Sequence, residues 1–92
     1  MSERRHIALP ADCNLRTIRA LHGEISAALE GASDLTLDGA AVERADVTFV
    51  QLIAATVLTA ERRSVRVSLV DLSEAASAAL ARAGLPDLGR PA

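Results

Sequence analysis

The sequence predicts a single α/β domain with a small, mainly parallel sheet and helices packed against it. The chain has 92 residues, half of them apolar and about a quarter charged, which suits one globular domain. Strand-like and helix-like periodicities alternate along it, in the order strand, helix, strand, helix, strand, helix. Because such alternation requires crossover connections, the strands should run mainly parallel beneath their helices.

The first strand and helix are predicted from the apolar stretch that ends at Pro10 and from the pattern that follows it. Residues 6–10 form the strand, which Pro10 closes because it cannot donate a ladder hydrogen bond. Asn14 is the expected helix N-cap, and Gly31 the expected left-handed stop. The stripe of apolar residues at helical spacing consists of Leu15, Ile18, Leu21, Ile25, Ala28 and Leu29.

The second strand and helix lie in the middle of the chain. Leucines alternate with polar residues over residues 33–38, and a loop is predicted over 39–45. Residues 47–60 are nearly all apolar or small and contain no glycine or proline, so they predict a helix with Asp46 as its N-cap. Residues 61–63 end this helix and place cations near the negative end of its dipole.

The third strand and helix complete the pattern. Val65, Val67 and Leu69 alternate with polar residues, and Ser73 precedes an alanine-rich helix over residues 75–83. Gly84, followed by leucine and proline, predicts a Schellman stop. We expect one domain over 1–92, with an ordered core over about 5–88 and disorder only in the last few residues.

Charge and composition disfavour several classes of function. The formal net charge is −2, the ten basic residues are all arginine, and no basic block occurs, which argues against nucleic-acid binding. No stretch approaches the length that crosses a bilayer, and the first residues lead into a strand pattern rather than a signal-peptide core. One cysteine permits no internal disulfide and indicates a reducing compartment. We therefore expect a cytoplasmic protein without direct membrane insertion.

Catalytic and metal-binding constellations are not evident. Cys13 and His22 are the only conceivable nucleophile and base, but no orienting carboxylate or oxyanion hole accompanies them. We interpret Cys13 as a small buried residue and His22 as an exposed residue of the first helix. The sequence thus predicts no enzyme, no metal and no cofactor.

The second predicted helix carries the most information about function. At about 100° per residue, Val50, Ile53, Ala54 and Val57 share a core face, flanked by Phe49 and Ala60. The opposite side collects Thr48, Gln51, Leu52, Ala55 and Thr59. A solvated helix normally shows charges there, so this uncharged surface, together with Asp46, is predicted to dock another protein. The alternative is that the third helix or a second copy of the chain covers it, and a homo-oligomer is left open.

Several runs of the sequence resemble a STAS domain, the fold of anti-sigma-factor antagonists. These runs are residues 35–53, in which a strand leads through a loop to Asp46 and an apolar helix, then 65–73 and the closing Gly84-Leu85. The phrases at residues 9–13 and 37–40 resemble small bacterial STAS proteins associated with chemotaxis or two-component signalling. The resemblance covers nearly the whole chain and implies a STAS-type fold.

The resemblance also implies a regulatory mechanism. In phosphorylated STAS proteins a partner kinase modifies a Ser or Thr that closely follows an Asp at the start of this helix, and the added charge releases the bound target. Asp46 matches that acid, and Thr48 is the candidate phospho-acceptor. This chain has Val47 at the first hydroxyl position and Phe49 in place of the usual glycine, so phosphorylation would depend on Thr48 alone.

Two functional hypotheses follow. In the first, the chain is a non-enzymatic module of bacterial signalling that docks a partner, such as an anti-sigma or chemotaxis-type kinase, through the second helix. In the second, it is an adaptor subunit of an ABC-type lipid transporter, because some small STAS proteins of that kind resemble it. The sequence does not separate them.

Overall fold

The computed structural model describes residues 4–88, which form five strands and three helices. In chain order these are β1 (Arg4–Ala8), β2 (Asp12–Cys13), α1 (Leu15–Gly31), β3 (Asp34–Asp38), β4 (Arg44–Ala45), α2 (Val47–Arg62), β5 (Arg66–Val70) and α3 (Glu74–Arg82). The alternating α/β order predicted from the sequence is confirmed. The predicted disorder of the last residues falls mainly outside the described range.

The main sheet has the order β1-β3-β5, and both pairings are parallel. Its register aligns Ile7, Leu37 and Leu69 in one row, on the face against which the helices pack. Leu35 and Leu37 are completely buried there. Because side chains alternate between the faces of a strand, the next row, His6, Thr36 and Ser68, lies on the opposite, more exposed face.

Local capping signals in the sequence are confirmed at each helix start. Asn14 accepts hydrogen bonds from the backbone N–H groups of Arg16 and Thr17, at 2.8 and 3.2 Å. Asp46 and Ser73 cap α2 and α3 in the same way. These side-chain oxygens satisfy amides that have no partner within the helix.

The predicted Schellman stop at Gly84 is also confirmed. Gly84 has φ of +78°, its N–H donates to the Ala81 carbonyl, and the Leu85 N–H donates to the Leu80 carbonyl. A second stop of this kind was not predicted. Ser64, with φ of 58°, follows α2, and the Val65 N–H donates to the Ala60 carbonyl.

Three sequence-based predictions about local structure are wrong. Gly31 is the last residue of α1 rather than a left-handed stop, because the helix ends through the extended backbone of Ala32. Leu15 is 70% exposed at the first turn of α1, before the helix reaches the core. The loop predicted over 39–45 contains β4, which forms a two-stranded parallel ladder with β2. Isolated two-residue strands carry no periodicity of their own.

Candidate docking surface

The first turn of α2 is organised by Asp46. Its Oδ1 accepts from the Thr48 N–H at 2.9 Å, from the Phe49 N–H at 3.4 Å and from the Thr48 hydroxyl at 2.5 Å. These bonds, the one from the Thr48 hydroxyl first, lower the pKa of Asp46 below its ordinary value. Asp46 is therefore a carboxylate at neutral pH, and it fixes the position of the half-buried Thr48.

One face of α2 is exposed over three turns and carries no charge. Val47 is 65% exposed and Leu58 51% exposed, and Gln51 and Ala55 lie between them along the helix. Thr48 and Thr59 border this face and are half-buried. We call these six residues the α2 face. The exposed side of α1, in contrast, carries charged residues, among them Arg16, Arg19, Glu24 and Glu30.

The placement of Leu52 on the exposed side of α2 is wrong, because Leu52 is only 6% exposed. With Ile25 and Leu29 of α1 it lines a cavity of about 50 Å³ between the two helices. The buried side of α2 is centred near Ile53, Thr56 and Ala60, a rotation of roughly 75° from the predicted core face. The packing of α1 causes this difference, because α1 covers the side of α2 that helical periodicity alone predicted to be exposed.

A shallow groove continues the α2 face toward α3. It has a volume of about 200 Å³ and is lined by Asp46, Val47, Val50, Ala79, Arg82 and Ala83. A cavity of about 150 Å³ lined by apolar side chains can accept a benzene molecule. The groove therefore has room for one large apolar side chain, between a carboxylate and a guanidinium.

The residues weighed as nucleophile and base do not form a reactive pair. Cys13 is 1% exposed, and its thiol lies 3.5 Å from the Pro10 carbonyl oxygen, to which it donates. Burial, and then the charges of Asp12 and Asp46, raise the pKa of Cys13 to about 11. His22 is exposed on α1. Cys13 is thus a buried thiol in its protonated form at neutral pH. The prediction that it is a small buried residue is confirmed.

The structure brings together most of the residues predicted to bind a partner. Asp46, Thr48, Gln51, Ala55 and Thr59 lie along one side of α2, and Leu52 lies at the border of that side, where α1 buries it. Two exposed apolar residues, Val47 and Leu58, were missed. Their spacing from Gln51, four residues before and seven after, is the helical signal that would have placed all three on one face.

The fold is that of a small α/β domain with an exposed, uncharged face on α2. The chain belongs to the STAS family, because a family model described as the Mlab STAS domain matches residues 2–90. STAS domains are protein-interaction and regulatory modules and are generally not enzymes. Neither the curated proteins nor the solved structures contain a match to the chain.

Over residues 4–88 no helix combines the length and the apolar character that crossing a bilayer requires. Within the same residues, no three side chains of the His, Cys, Asp and Glu types come together as a metal site.

Proposed function

We propose that the chain is a non-enzymatic signalling module of the bacterial cytoplasm that docks a protein partner through the α2 face. The observation that supports this most is the exposure of Val47 and Leu58 on a helix side that carries no charge over the first three turns of α2. Exposed apolar side chains that share one uncharged helix face are typical of an interface, whereas single scattered ones are common on any protein surface. The two residues are eleven positions apart, so the face is about 16 Å long.

The groove beside the α2 face supports the same proposal. Interfaces are stabilised mainly by a few apolar anchors that enter pockets, surrounded by weaker polar contacts. The groove at Val47 and Ala79 would receive such an anchor, and Asp46 and Arg82 would bind polar groups around it. Gln51 offers a further hydrogen-bonding side chain next to this anchor point.

Phosphorylation of Thr48 is the regulatory part of the proposal. A phosphate on this hydroxyl would replace its hydrogen bond to Asp46 and add about two negative charges beside that carboxylate. The positive end of the α2 dipole would favour the phosphate, so folding would persist. The new charge would lie within an uncharged contact surface and would weaken docking.

A capture experiment with matched variants tests the docking proposal. The tagged parent chain, Leu58→Arg and Leu15→Arg are used to capture partners from the native host, with identification by mass spectrometry. Leu58 and Leu15 are both exposed leucines, but only Leu58 is on the α2 face. We expect Leu58→Arg to lose a partner that the parent and Leu15→Arg retain. Equal capture by all three chains would contradict docking through α2.

The identity of the captured protein separates the two functional hypotheses. A sensor kinase or an anti-sigma factor, lost with Leu58→Arg, supports the signalling function. An ATPase together with a permease, lost with the same variant, supports the adaptor function. That hypothesis is based on the resemblance to transporter-associated STAS proteins. Both hypotheses use the same surface, so the variant informs on each.

A further inference from the structure

The α2 face has a projecting apolar side chain near one end and a groove at the other. Leu58, which is 51% exposed, lies toward the C-terminal end of α2, and the groove of about 200 Å³ opens beside Val47 at the N-terminal end. Eleven residues are close to three helical turns, so both positions point in nearly the same direction from the helix. Ala54 and Ala55, between them, are small enough to let a second helix approach closely. The face therefore carries both an apolar anchor and a groove with room for one.

Charged side chains of both signs stand at each end of the face. One turn beyond Leu58, Glu61 and Arg62 are exposed. Asp46 and Arg82 line the groove at the other end. Within residues 4–88, none of these four charged side chains forms an ion pair. Each end thus offers one positive and one negative group to an opposing surface.

We propose that a second copy of the chain occupies the α2 face, with the two α2 helices antiparallel about a two-fold axis between Gln51 and Ala55. Leu58 of each copy enters the groove of the other copy. This inference rests on the proposed function, since it concerns the same surface and adds its regulation. The dimer hides the α2 face, so a signalling partner must displace the second copy before it can dock.

The two-fold symmetry explains why a second copy fits this surface. The separation of groove and Leu58, about 16 Å, is the same on both copies, so one antiparallel arrangement fills both grooves at once. A parallel arrangement would instead place Leu58 against Leu58 and Arg62 against Arg62. Both grooves would then stay empty, and like charges would face each other.

The charges at the two ends match in the antiparallel arrangement. Glu61 follows Val50 by eleven residues and therefore lies on the same side of α2, the side that borders α3. A two-fold axis across the helices keeps the α3 side of one copy against the α3 side of the other. Glu61 of each copy consequently approaches Arg82 of the other copy, and Arg62 arrives at the end of α2 where Asp46 is the carboxylate.

Sedimentation equilibrium tests the dimer. A contact between two helices over three turns is smaller than the roughly 1,200 Å² of a standard interface, so the dimer should be weak and the concentration range should extend to about 1 mM. The parent chain is expected to approach twice its 9.6-kDa mass. Leu58→Ala should weaken dimerisation by about tenfold or more, because both anchors are lost. Leu15→Ala, which truncates an exposed leucine of α1, should dimerise like the parent.

An exchange of charges tests whether the occupant is a second copy in this orientation. Glu61→Arg alone places Arg against Arg82, and Arg82→Glu alone places Glu against Glu61. Each variant should dimerise about threefold or more weakly than the parent at low salt. An equimolar mixture of the two variants should dimerise like the parent, because both contacts of the mixed dimer then join an arginine to a glutamate.

Three results would overturn the proposal. These are a parent chain that stays monomeric up to about 1 mM, a folded Leu58→Ala variant that dimerises like the parent, and a mixture of charge variants that dimerises no better than either alone. A monomeric parent chain whose captured partner is still lost with Leu58→Arg would contradict this inference and leave the proposed function intact. A dimer that Leu58→Arg dissociates, together with equal capture of other proteins by all chains, would support the dimer and contradict docking of a different protein at α2.

Discussion

Leu52 and Leu58 provide a matched pair for testing which side of α2 faces the core. Both are leucines of the same helix, six residues apart, but Leu52 is 6% exposed and Leu58 is 51% exposed. Leu52 packs at the contact between α1 and α2, near Ile25 and Leu29. Truncation to alanine should therefore destabilise the protein strongly at position 52 and weakly at position 58.

The magnitudes follow from burial. Replacing a buried leucine by alanine costs about 2–5 kcal/mol, and the small cavity already present beside Leu52 allows some relaxation, so we expect about 3 kcal/mol. Leu58→Ala should change the free energy of unfolding by no more than about 0.5 kcal/mol. For a domain of this size, 3 kcal/mol corresponds to a fall in Tm of about 12–24 °C. Since the free energy of unfolding of such domains is about 5–15 kcal/mol, Leu52→Ala should remain mostly folded at 25 °C.

Urea unfolding followed by circular dichroism measures both variants under the same conditions. A lower midpoint with an unchanged slope identifies a loss of stability rather than a change in the unfolded state. If the two variants lost equal stability, or if Leu58→Ala lost more, the orientation of α2 would be wrong, and the α2 face would have to be redefined around Leu52.

Three further predictions address a turn, a thiol and the docking face. Ser64→Gly should stabilise the protein by about 0.5–1 kcal/mol in urea unfolding, because glycine adopts the positive φ without steric cost; no gain, or an equal gain with Ser64→Ala, would contradict this. Iodoacetamide should alkylate Cys13 slowly in the native chain and quickly in urea. Because the folded pKa of Cys13, about 11, exceeds the ordinary value of 9.0, the free energy of unfolding should fall as pH rises from 9 to 11. The Cys13→Ala variant should not show this fall. Thr48→Glu should reduce partner affinity about tenfold or more, or about 1.4 kcal/mol, whereas Thr48→Ser should bind like the parent; parental affinity of Thr48→Glu would exclude a charge switch at this position.

Features that depend on a few neighbouring residues were predictable from the sequence. The caps at Asn14, Asp46 and Ser73, and the stop at Gly84, each involve hydrogen bonds between residues at most five positions apart. The order of strands and helices follows from periodicities of two and 3.6 residues, which need no knowledge of the partner elements. Glycine at a positive φ has a low steric cost, so Gly84 was a reliable signal and Ser64 was not.

Features that depend on which elements meet in space were decided only by the tertiary structure. An almost wholly apolar helix such as α2 has several sides that could be buried, and the packing of α1 selected the one that contains Leu52 and exposes Leu58. The ladder between β2 and β4 joins residues about thirty positions apart, across strands too short to have a pattern. The amino-acid sequence by itself thus determined the local elements and their ends. The packing of distant elements determined the α2 face, because burial is a property of the whole fold.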